Sequence, residues 1–463
     1  MQARPVGQGA RPPAEVPARH RLALSVLMLA AIGAVTQAAP ADAQELRERA
    51  EHEREVKLEK LETRLQPVMR DHDVDMWIIM TRENDPDPMV QVFGDYDLTA
   101  SGHRNAYIFH DPGGDEPLER TILGTHVRGH LEPFFPDHFQ SGHGYGEEGL
   151  EPHLREFVHE RDPETIAINR SRTITMADGL SVEAHRYLVE AIGSEYEERL
   201  VSAEPIVIDY VSHRTPAELE IAYQASWITW HILKRGFSNE VISPGETTTL
   251  DVYWWLKSER HNQDLGFSFD PSVTVHRQGE ENSLPIEDEP VIEPGDLLHT
   301  DFGVELMGLV TDQQKLTYVL RPDETEPPEG LRELFEESAV VAEIVAEELT
   351  PGVEGWRVKE RAEERAQDKG IDALVYSHTQ GHWVHGAGAW AIFDWPERYG
   401  IHPREPVRSS EIWSVEFSVT GSIPEWDGQT VSLGREEDGH VDEDGDFHWL
   451  AGPQEELWTV RSR

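Results

Sequence analysis

The sequence predicts an α+β protein built from two domains, and three observations support this fold class. The chain has 463 residues, which is long enough to bury two separate hydrophobic cores. In its first half, short apolar strand candidates alternate with helical patterns. In its second half, long amphipathic helices alternate with strands, and the C-terminal part is rich in strands. We place the boundary between the domains near Pro205.

The first half, residues 44–205, is predicted to form an α/β domain. A charged, helix-prone segment with a sparse leucine stripe covers residues 45–66. Four strand candidates and one further helix follow it, at residues 74–80, 105–109, 120–123, 165–168 and 181–192. This alternation favours helices packed on a sheet.

The second half, residues 206–463, shows a repeated helix–strand order. The pair Thr215-Pro216 is a helix start signal, and an amphipathic helix follows it to about Phe237. Further helices are predicted at residues 249–258, 330–349 and 354–369. Such an order is typical of two similar halves folded around a sheet.

The charge balance of the chain restricts its partners. There are 88 acidic and 41 basic residues, which gives a formal net charge of −47 at pH 7. Such a surface repels phosphate backbones and argues against nucleic acid as a partner. Excess carboxylates with scarce lysine are typical of proteins that work in high salt, so we predict a halophilic protein; an ordinary acidic protein is the alternative. Without cysteine, the chain has no disulfide and no cysteine–zinc site.

The N-terminus has the pattern of an export signal, which we place at residues 1–43. Basic residues precede an apolar stretch at residues 22–35, and residues 41–43 form an Ala-x-Ala cleavage motif. The apolar stretch is short for a membrane span, and an uncleaved anchor is the alternative. We therefore expect a periplasmic or secreted protein that begins near Gln44 and has no stable membrane span.

Two aspartates in the second half lie within apolar segments. Asp301 follows Leu-Leu-His-Thr, and Asp312 follows Leu-Val-Thr. A carboxylate buried without a partner is costly, so each requires a cation or a proton. Their spacing would place the two side chains on opposite faces of one continuous strand. A hairpin or bulge between the two segments restores a common face.

Three further residues that can bind metal follow: His385, Glu416 and Glu437. Together with the two aspartates they make four carboxylates and one imidazole, a donor set that suits a pair of hard divalent cations. Two such cations can hold a hydroxide and polarise a carbonyl. The set therefore predicts a metal-dependent hydrolase.

The order and spacing of these five residues resemble the pita-bread metallopeptidases of family M24. The family includes methionine aminopeptidase, Xaa-Pro aminopeptidase and prolidase, with metal-free creatinase as a relative. The resemblance covers roughly Ile206 to the C-terminus and is weaker over the first half. It implies a C-terminal pita-bread (creatinase/aminopeptidase) fold preceded by an N-terminal α/β creatinase-like domain without catalytic residues.

The resemblance also implies a role for each residue. Asp312 and Glu437 would bridge two metal ions, and Asp301, His385 and Glu416 would complete the two coordination shells. Glu416 would also carry a proton for the attacking water. Mn²⁺ suits this oxygen-rich set best, and Zn²⁺ or Co²⁺ are the alternatives.

Two of these assignments have competitors. His385 lies in His-Gly-Ala-Gly, which resembles the histidine segment of the family, whereas His382 begins a His-Trp pair that Xaa-Pro aminopeptidases can present. For the last ligand, the family pattern Arg-x-Glu-Asp favours Glu437, with Arg435 on the same strand face. Glu436 is the alternative.

The chain departs from the family at two histidines that contact substrate. One is expected shortly before the first aspartate, where residues 282–284 read Asn-Ser-Leu, and the other shortly after the metal histidine, where Ile392 stands. We expect His378 or His382 to supply the missing donor. Substrate recognition is therefore expected to differ from that of a standard aminopeptidase.

The sequence thus predicts a secreted hydrolase that depends on two divalent metal ions and acts on short peptides, as Xaa-Pro aminopeptidases and prolidases do. A small peptide is the expected partner, and a homodimer the expected assembly. A non-catalytic metal-binding or scaffold homologue is one alternative, which the two missing histidines support. Hydrolysis of a non-peptide C–N bond is another.

Overall fold

The computed structural model describes residues 43–94, 104–124, 131–140 and 149–462. The predicted signal segment lies outside these residues except for its last position. Contacts divide the chain into two units, Met1–Leu46 and Arg47–Arg463, and the architecture below is that of the second unit. Within the described residues, no helix has the length and apolar character required to cross a membrane.

The α-helices of the described chain are α1 (Ala43–Asp71), α2 (Pro88–Phe93), α3 (Glu151–Arg161), α4 (Val182–Ile192), α5 (Glu204–Ser212), α6 (Pro216–Gly236), α7 (Thr249–Asn262), α8 (Glu329–Glu348), α9 (Gly355–Asp368) and α10 (Pro396–Tyr399). Short 3-10 turns lie at Thr175–Ala177, Ser194–Arg199, Ile286–Asp288, His402–Arg404 and Pro424–Trp426.

The first strands are β1 (Met76–Thr81), β2 (Asn105–His110), β3 (Glu119–Gly124), β4 (Asp137–Gln140), β5 (Ile166–Ile168), β6 (Leu200–Ser202), β7 (Gly266–Phe267), β8 (Ser272–His276) and β9 (Leu297–Phe302). The later strands are β10 (Val304–Leu306), β11 (Leu309–Val310), β12 (Gln313–Leu320), β13 (Asp372–Val375), β14 (His378–Gln380), β15 (Glu411–Ile423), β16 (Gln429–Val441), β17 (Phe447–Trp449) and β18 (Trp458–Arg461).

The N-terminal strands form a mixed sheet in the order β4-β3-β2-β1-β5-β6. Every residue of β1 is buried, because both faces of this central strand are covered. Trp77 and Ile79 pack into one apolar core, and Met76 and Ile78 pack into another. Helices on a largely buried sheet are the α/β arrangement predicted for this half.

The C-terminal strands form a larger sheet in the order β13-β15-β16-β12-β9-β8. Strand β14 also pairs with β15, β17 pairs with β16, and β18 runs parallel to β12. The hairpin of β15 and β16 has 13 residues in each strand. At its turn, Asp427 and Gly428 have φ of 55° and 77°, which a tight reversal requires.

Helices α8 and α9 cover one apolar side of this hairpin. Trp413 and Phe417 of β15 pack with Leu433 of β16 and with Leu334 of α8 in one core. Ser414 and Glu416 of β15 therefore face the other way, since strand side chains alternate. This alternation positions the polar site described below.

The predicted helices and strands agree with the structure to within a few residues. For example, α6 begins with a capping box in which Thr215 and Glu218 each accept a hydrogen bond from the other's backbone N–H. The predicted domain boundary at Pro205 falls in the first turn of α5 and stays a prediction.

Candidate metal centre

Three carboxylates and one amide lie in a row across the large sheet. The register pairs Asp301 on β9 with Gln314 on β12. It then pairs Gln314 with Glu436 on β16, and Glu436 with Glu416 on β15. Directly opposed residues of neighbouring antiparallel strands have their side chains on the same face, about 5 Å apart. The four side chains therefore meet on one face of the sheet.

Asp312 joins this row through a hairpin between the two aspartates. Met307 and Gly308 have φ of 50° and 81°, as the central residues of a type I′ turn do. The chain returns in β12, where Gln314 is opposite Asp301. Asp312 lies two residues before Gln314 and so points to the same face. The predicted hairpin, which restores a common face, is confirmed.

His378 supplies the imidazole next to these carboxylates. Strand β14 pairs with β15, with His378 opposite Ser414. His378 Nε2 lies 3.7 Å from Asp312 Oδ2, 3.6 Å from Glu416 Oε2 and 3.8 Å from Glu436 Oε1. Ligand atoms of Asp312, His378 and Glu436 all lie within 4.8 Å of one another. We call Asp301, Asp312, His378, Glu416 and Glu436 the acidic cluster.

Glu436 faces the acidic cluster, whereas Glu437, which the sequence analysis favoured, does not. The Glu437 carboxylate lies on the opposite face of β16, 2.5 Å from Lys315 Nζ and 3.2 Å from Arg435 Nη2. Glu437 and Arg435 share one strand face, as their spacing of two residues predicts. That face, however, is turned away from Glu416, because side chains alternate along the strand.

Residues of helix α8 contact the charged side chains on this other face of β16. The Arg435 guanidinium lies over the ring of Phe335, 4.5 Å from its centroid, and donates to Ser338 Oγ at 3.1 Å. Both Arg435 and Lys315 are fully buried, so a buried carboxylate between them is needed. Glu437 is therefore the counter-ion of two buried cations.

The other predicted histidines lie beside the acidic cluster. The exposed ring of His385 packs edge-on against His378, with 4.5 Å between the ring centroids. His382 has its Nδ1 2.8 Å from the carbonyl oxygen of Gly308, and its Nε2 is buried without a hydrogen-bond partner. The structure thus brings His378 to the carboxylates, in the place predicted for His385 with His382 as competitor.

Burial and mutual repulsion govern the charges of the acidic cluster. Burial raises the pKa of Asp301 to about 6, and burial with the Asp301 charge raises that of Glu416 to about 8. For Asp312 and Glu436, burial and the neighbouring carboxylates raise the pKa well above its usual range. Burial lowers the pKa of His378 to about 3, so its ring is neutral near pH 7. Without a cation, these residues resist carrying their full charge together.

The acidic cluster fits a divalent cation. Asp301 Oδ1, Asp312 Oδ1 and His378 Nε2 are buried without a hydrogen-bond partner. Buried polar atoms without partners are rare, and each costs about 1–3 kcal/mol. Carboxylate oxygens and a neutral imidazole nitrogen are lone-pair donors that Mn²⁺, Zn²⁺ and Co²⁺ accept. A bound metal would satisfy these atoms and neutralise the repulsion among the carboxylates.

Comparison with known families identifies the part of the chain that carries the acidic cluster. Residues 223–443 match the sequence model of metallopeptidase family M24. Residues 223–443 form an M24 metallopeptidase domain. The predicted family and the prediction of a metal-dependent hydrolase are confirmed. No curated protein sequence matches the chain significantly.

Solved structures share the fold of the M24 domain and of the half before it. The X-Pro aminopeptidase from Thermotoga maritima has 17% identity and a TM-score of 0.62 over 85% of this chain and 100% of its own. The Xaa-Pro dipeptidase from Bacillus anthracis has 16% identity and a TM-score of 0.58 over 88% and 99%. The prolidase from Pyrococcus furiosus has 15% identity and a TM-score of 0.54 over 84% and 99%. The predicted pita-bread fold class is confirmed.

Three residues of the M24 domain that support the acidic cluster were missed in the sequence. Gln314 Nε2 donates to Glu416 Oε1 at 2.8 Å and to Glu436 Oε2 at 2.9 Å. Ser414 Oγ donates to Glu436 Oε1. The buried Asp438 accepts hydrogen bonds from the Asp312 N–H and from the side chains of Ser226, Gln313 and Gln380.

A simple signal could have found these residues. Gln314 follows Asp312 by two positions, Ser414 precedes Glu416 by two, and Asp438 follows Glu436 by two. Each therefore shares a strand face with a member of the acidic cluster. For Gln314 and Ser414 this signal was present in the sequence, whereas for Asp438 it required Glu436, rather than Glu437, to be on that face.

Proposed function

We propose that this protein is a peptidase that uses two divalent metal ions to hydrolyse short peptides. The ligands we assign are the five residues of the acidic cluster. Relative to the sequence prediction, His378 replaces His385 and Glu436 replaces Glu437. The observation that carries the proposal is the convergence of the Asp312, Glu416 and Glu436 carboxylates on one neutral imidazole, with three buried lone-pair atoms that lack any other partner.

The position of each residue suggests its part in the site. Asp312 and Glu436 are the most enclosed carboxylates, with 6% and 1% of the side chain exposed, and both lie near His378 Nε2. We therefore assign them to the space between the two ions. Asp301 and Glu416 flank that space at the two ends of the row.

Bound to these residues, two divalent ions would lower the pKa of a water molecule and polarise the amide carbonyl. We assign proton transfer to Glu416, because 16% of its side chain is exposed, more than for Asp312 or Glu436. Its orientation is held by Gln314 on one side. Mn²⁺ is the ion we propose, since four of the five donors are carboxylates.

The substrate-facing imidazole remains to be assigned among the histidines outside the acidic cluster. His385 has an exposed ring and touches His378, whereas His382 is half-buried and bonded to the Gly308 carbonyl. We therefore assign His385, ahead of His382, to contact the peptide. Secretion and adaptation to high salt also belong to the proposal, on the sequence patterns already given, and so does the expected homodimer.

The proposal is tested by metal depletion and restoration. The purified full chain is treated with a chelator, and Mn²⁺, Zn²⁺ or Co²⁺ is added back before a screen of Xaa-Pro and other short peptides. We expect hydrolysis to be lost on depletion and restored best by Mn²⁺. Metal uptake without hydrolysis of any peptide would support the scaffold alternative, and hydrolysis that survives depletion would contradict the proposal.

A further inference from the structure

A cavity beside the acidic cluster has walls without a single charged residue. It has a volume of about 420 Å³ and fifteen lining residues, none of them Asp, Glu, Lys or Arg. Charged residues make up 28% of the chain, so a neutral lining of this size stands out. A second cavity, of about 690 Å³ beside α9, has six charged residues among its thirteen. The second cavity therefore does not share the neutral lining.

The neutral cavity lies one side chain away from the acidic cluster. His385 and Trp390 form part of its wall, and their rings lie 4.5 Å and 6.4 Å from the His378 ring. His378 Nε2 is in turn 3.6 Å from Glu416 Oε2. A peptide bound at the acidic cluster therefore has the neutral cavity within the reach of a neighbouring side chain.

The walls of the neutral cavity combine apolar and aromatic side chains with hydroxyl groups and imidazoles, and they come from three parts of the chain. Ile174 and Met176 approach from the N-terminal half, Phe267 from β7, and Trp383 and Trp390 from the segment after β14. The Phe267 side chain is 55% exposed. When a ligand covers an exposed aromatic ring at the rim of the neutral cavity, the removal of that ring from water favours binding.

We propose that the neutral cavity binds a large uncharged side chain, aromatic or aliphatic, of the peptide substrate, next to the bond that is cleaved. The inference rests on the proposed peptidase function and adds a substrate class to it. Peptides with Phe, Leu or Met at that position are preferred. Peptides with Asp or Lys there are rejected, because the walls offer no charged partner for a buried charge.

The size of the preference follows from the area covered. Burying a Phe or Leu side chain in place of Ala favours binding by about tenfold or more, since several more carbon atoms are removed from water. A buried charge without a partner loses more than this gain. The neutral cavity therefore distinguishes Phe from Asp or Lys more strongly than Phe from Ala.

The first measurement compares peptide series on the Mn²⁺-loaded full chain. In the series Xaa-Ala and Ala-Xaa, Xaa is Phe, Leu, Ala, Asp or Lys, and kcat/KM is determined for each. We expect Phe and Leu to exceed Ala by about tenfold in one of the two series, and Asp and Lys to fall below Ala. Equal rates across both series, with hydrolysis intact, overturn the inference and leave the proposed function standing.

The matched variants are Thr175→Trp and Thr325→Trp. Thr175 is exposed at the edge of the neutral cavity, so a tryptophan there narrows it without removing a core residue. Thr325 is an exposed threonine in the loop before α8 and serves as the control. We expect Thr175→Trp to abolish the preference for Phe while hydrolysis of Ala-Ala stays, and Thr325→Trp to behave as the wild type.

A binding measurement separates this inference from the proposed function. N-acetyl-phenylalaninamide and N-acetyl-alaninamide are titrated into the metal-free protein while tryptophan fluorescence is recorded. Tighter binding of the Phe amide that disappears in Thr175→Trp supports the neutral cavity even if the protein hydrolyses no peptide. Equal binding of the two amides, or a preference that survives in Thr175→Trp, overturns it.

Discussion

At the scale of single residues, Gln314 has the most direct influence on the acidic cluster. Its amide nitrogen donates to two carboxylates, and its oxygen lies 2.9 Å from His299 Nε2, which fixes the orientation of the amide. Groups that orient metal ligands in this way usually change metal affinity by about 10–100-fold when removed. Gln314 is therefore a positioning residue.

Replacing Gln314 tests this role. We expect Gln314→Ala to weaken Mn²⁺ binding by about tenfold or more, because Glu416 and Glu436 lose their shared donor. Metal titration followed by calorimetry measures the change. Gln429→Ala, at the far end of β16, is the control and should bind Mn²⁺ as the wild type does. Equal Mn²⁺ affinities in the two variants would contradict the role of Gln314 in positioning the metal ligands.

The second residue-scale prediction concerns the buried pair Lys315–Glu437. Lys315→Ala should lower the free energy of unfolding by about 3 kcal/mol, because it leaves a buried carboxylate with one cation fewer. Lys257→Ala, which breaks an exposed pair with Asp270, should cost about 0–1 kcal/mol. Urea unfolding at pH 7 compares the two. Similar losses in both variants would show that the buried pair contributes no more to the free energy of unfolding than the exposed pair.

Residue-scale features show where sequence reasoning stopped. Asp301, Asp312 and Glu416 could be singled out because each carboxylate interrupts an apolar strand. The choice between Glu436 and Glu437 could not be made this way, since it depends on the cations that lie under β16, and Lys315 is 122 positions away in the chain. His378 was recognised only as a substitute donor, because its approach depends on the pairing of β14 with β15.

At the scale of elements, the contact between α1 and the N-terminal sheet is pH-sensitive. Arg70 at the end of α1 donates to Asp111 after β2, at 2.5 and 2.8 Å, and Gln66 donates at 2.9 Å. The hydrogen bonds from Arg70 lower the pKa of Asp111 from 3.8 to about 2. A carboxyl group whose pKa is lower in the folded than in the unfolded state stabilises the fold at pH values above its unfolded pKa. This stabilisation is lost as the pH falls through the folded pKa.

Asp111→Asn should therefore destabilise the protein more at pH 7 than at pH 2. We expect a loss of about 1 kcal/mol at pH 7, a modest value because the Arg70 side chain is 42% exposed. The difference from the wild type should shrink between pH 4 and pH 2, where Asp111 becomes protonated. Asp323→Asn, an exposed acid in a loop, should change neither stability nor its pH dependence. A difference that is constant with pH would contradict this reasoning.

Elements were the most predictable level of the structure. The helices α4, α6, α7, α8 and α9 were foreseen because apolar periodicity and start signals are local properties of the sequence. The order of the strands was not, since β12 lies between β9 and β16, and β18 returns to pair with β12. Such pairings join distant parts of the chain and leave no local pattern.

At the scale of the whole molecule, the net charge of −47 opposes compaction. Salt screens this repulsion, with a Debye length of about 10 Å at 0.1 M and about 3 Å at 1 M. We expect the melting temperature of the full chain to rise between these two salt concentrations, more than for a near-neutral protein of the same fold. Calorimetry in NaCl measures it. A flat or falling melting temperature would remove the argument for adaptation to high salt.

The assignment of Glu436 as a metal ligand and Glu437 as a structural counter-ion is tested by Glu436→Gln and Glu437→Gln. Both substitutions keep the shape of the side chain and remove one charge from the same strand. The measurement is the number of Mn²⁺ ions bound per folded chain, by elemental analysis after equilibrium dialysis. We predict that Glu436→Gln loses bound metal relative to the wild type, whereas Glu437→Gln melts at a lower temperature and retains it. Full metal in Glu436→Gln with loss in Glu437→Gln would contradict the account.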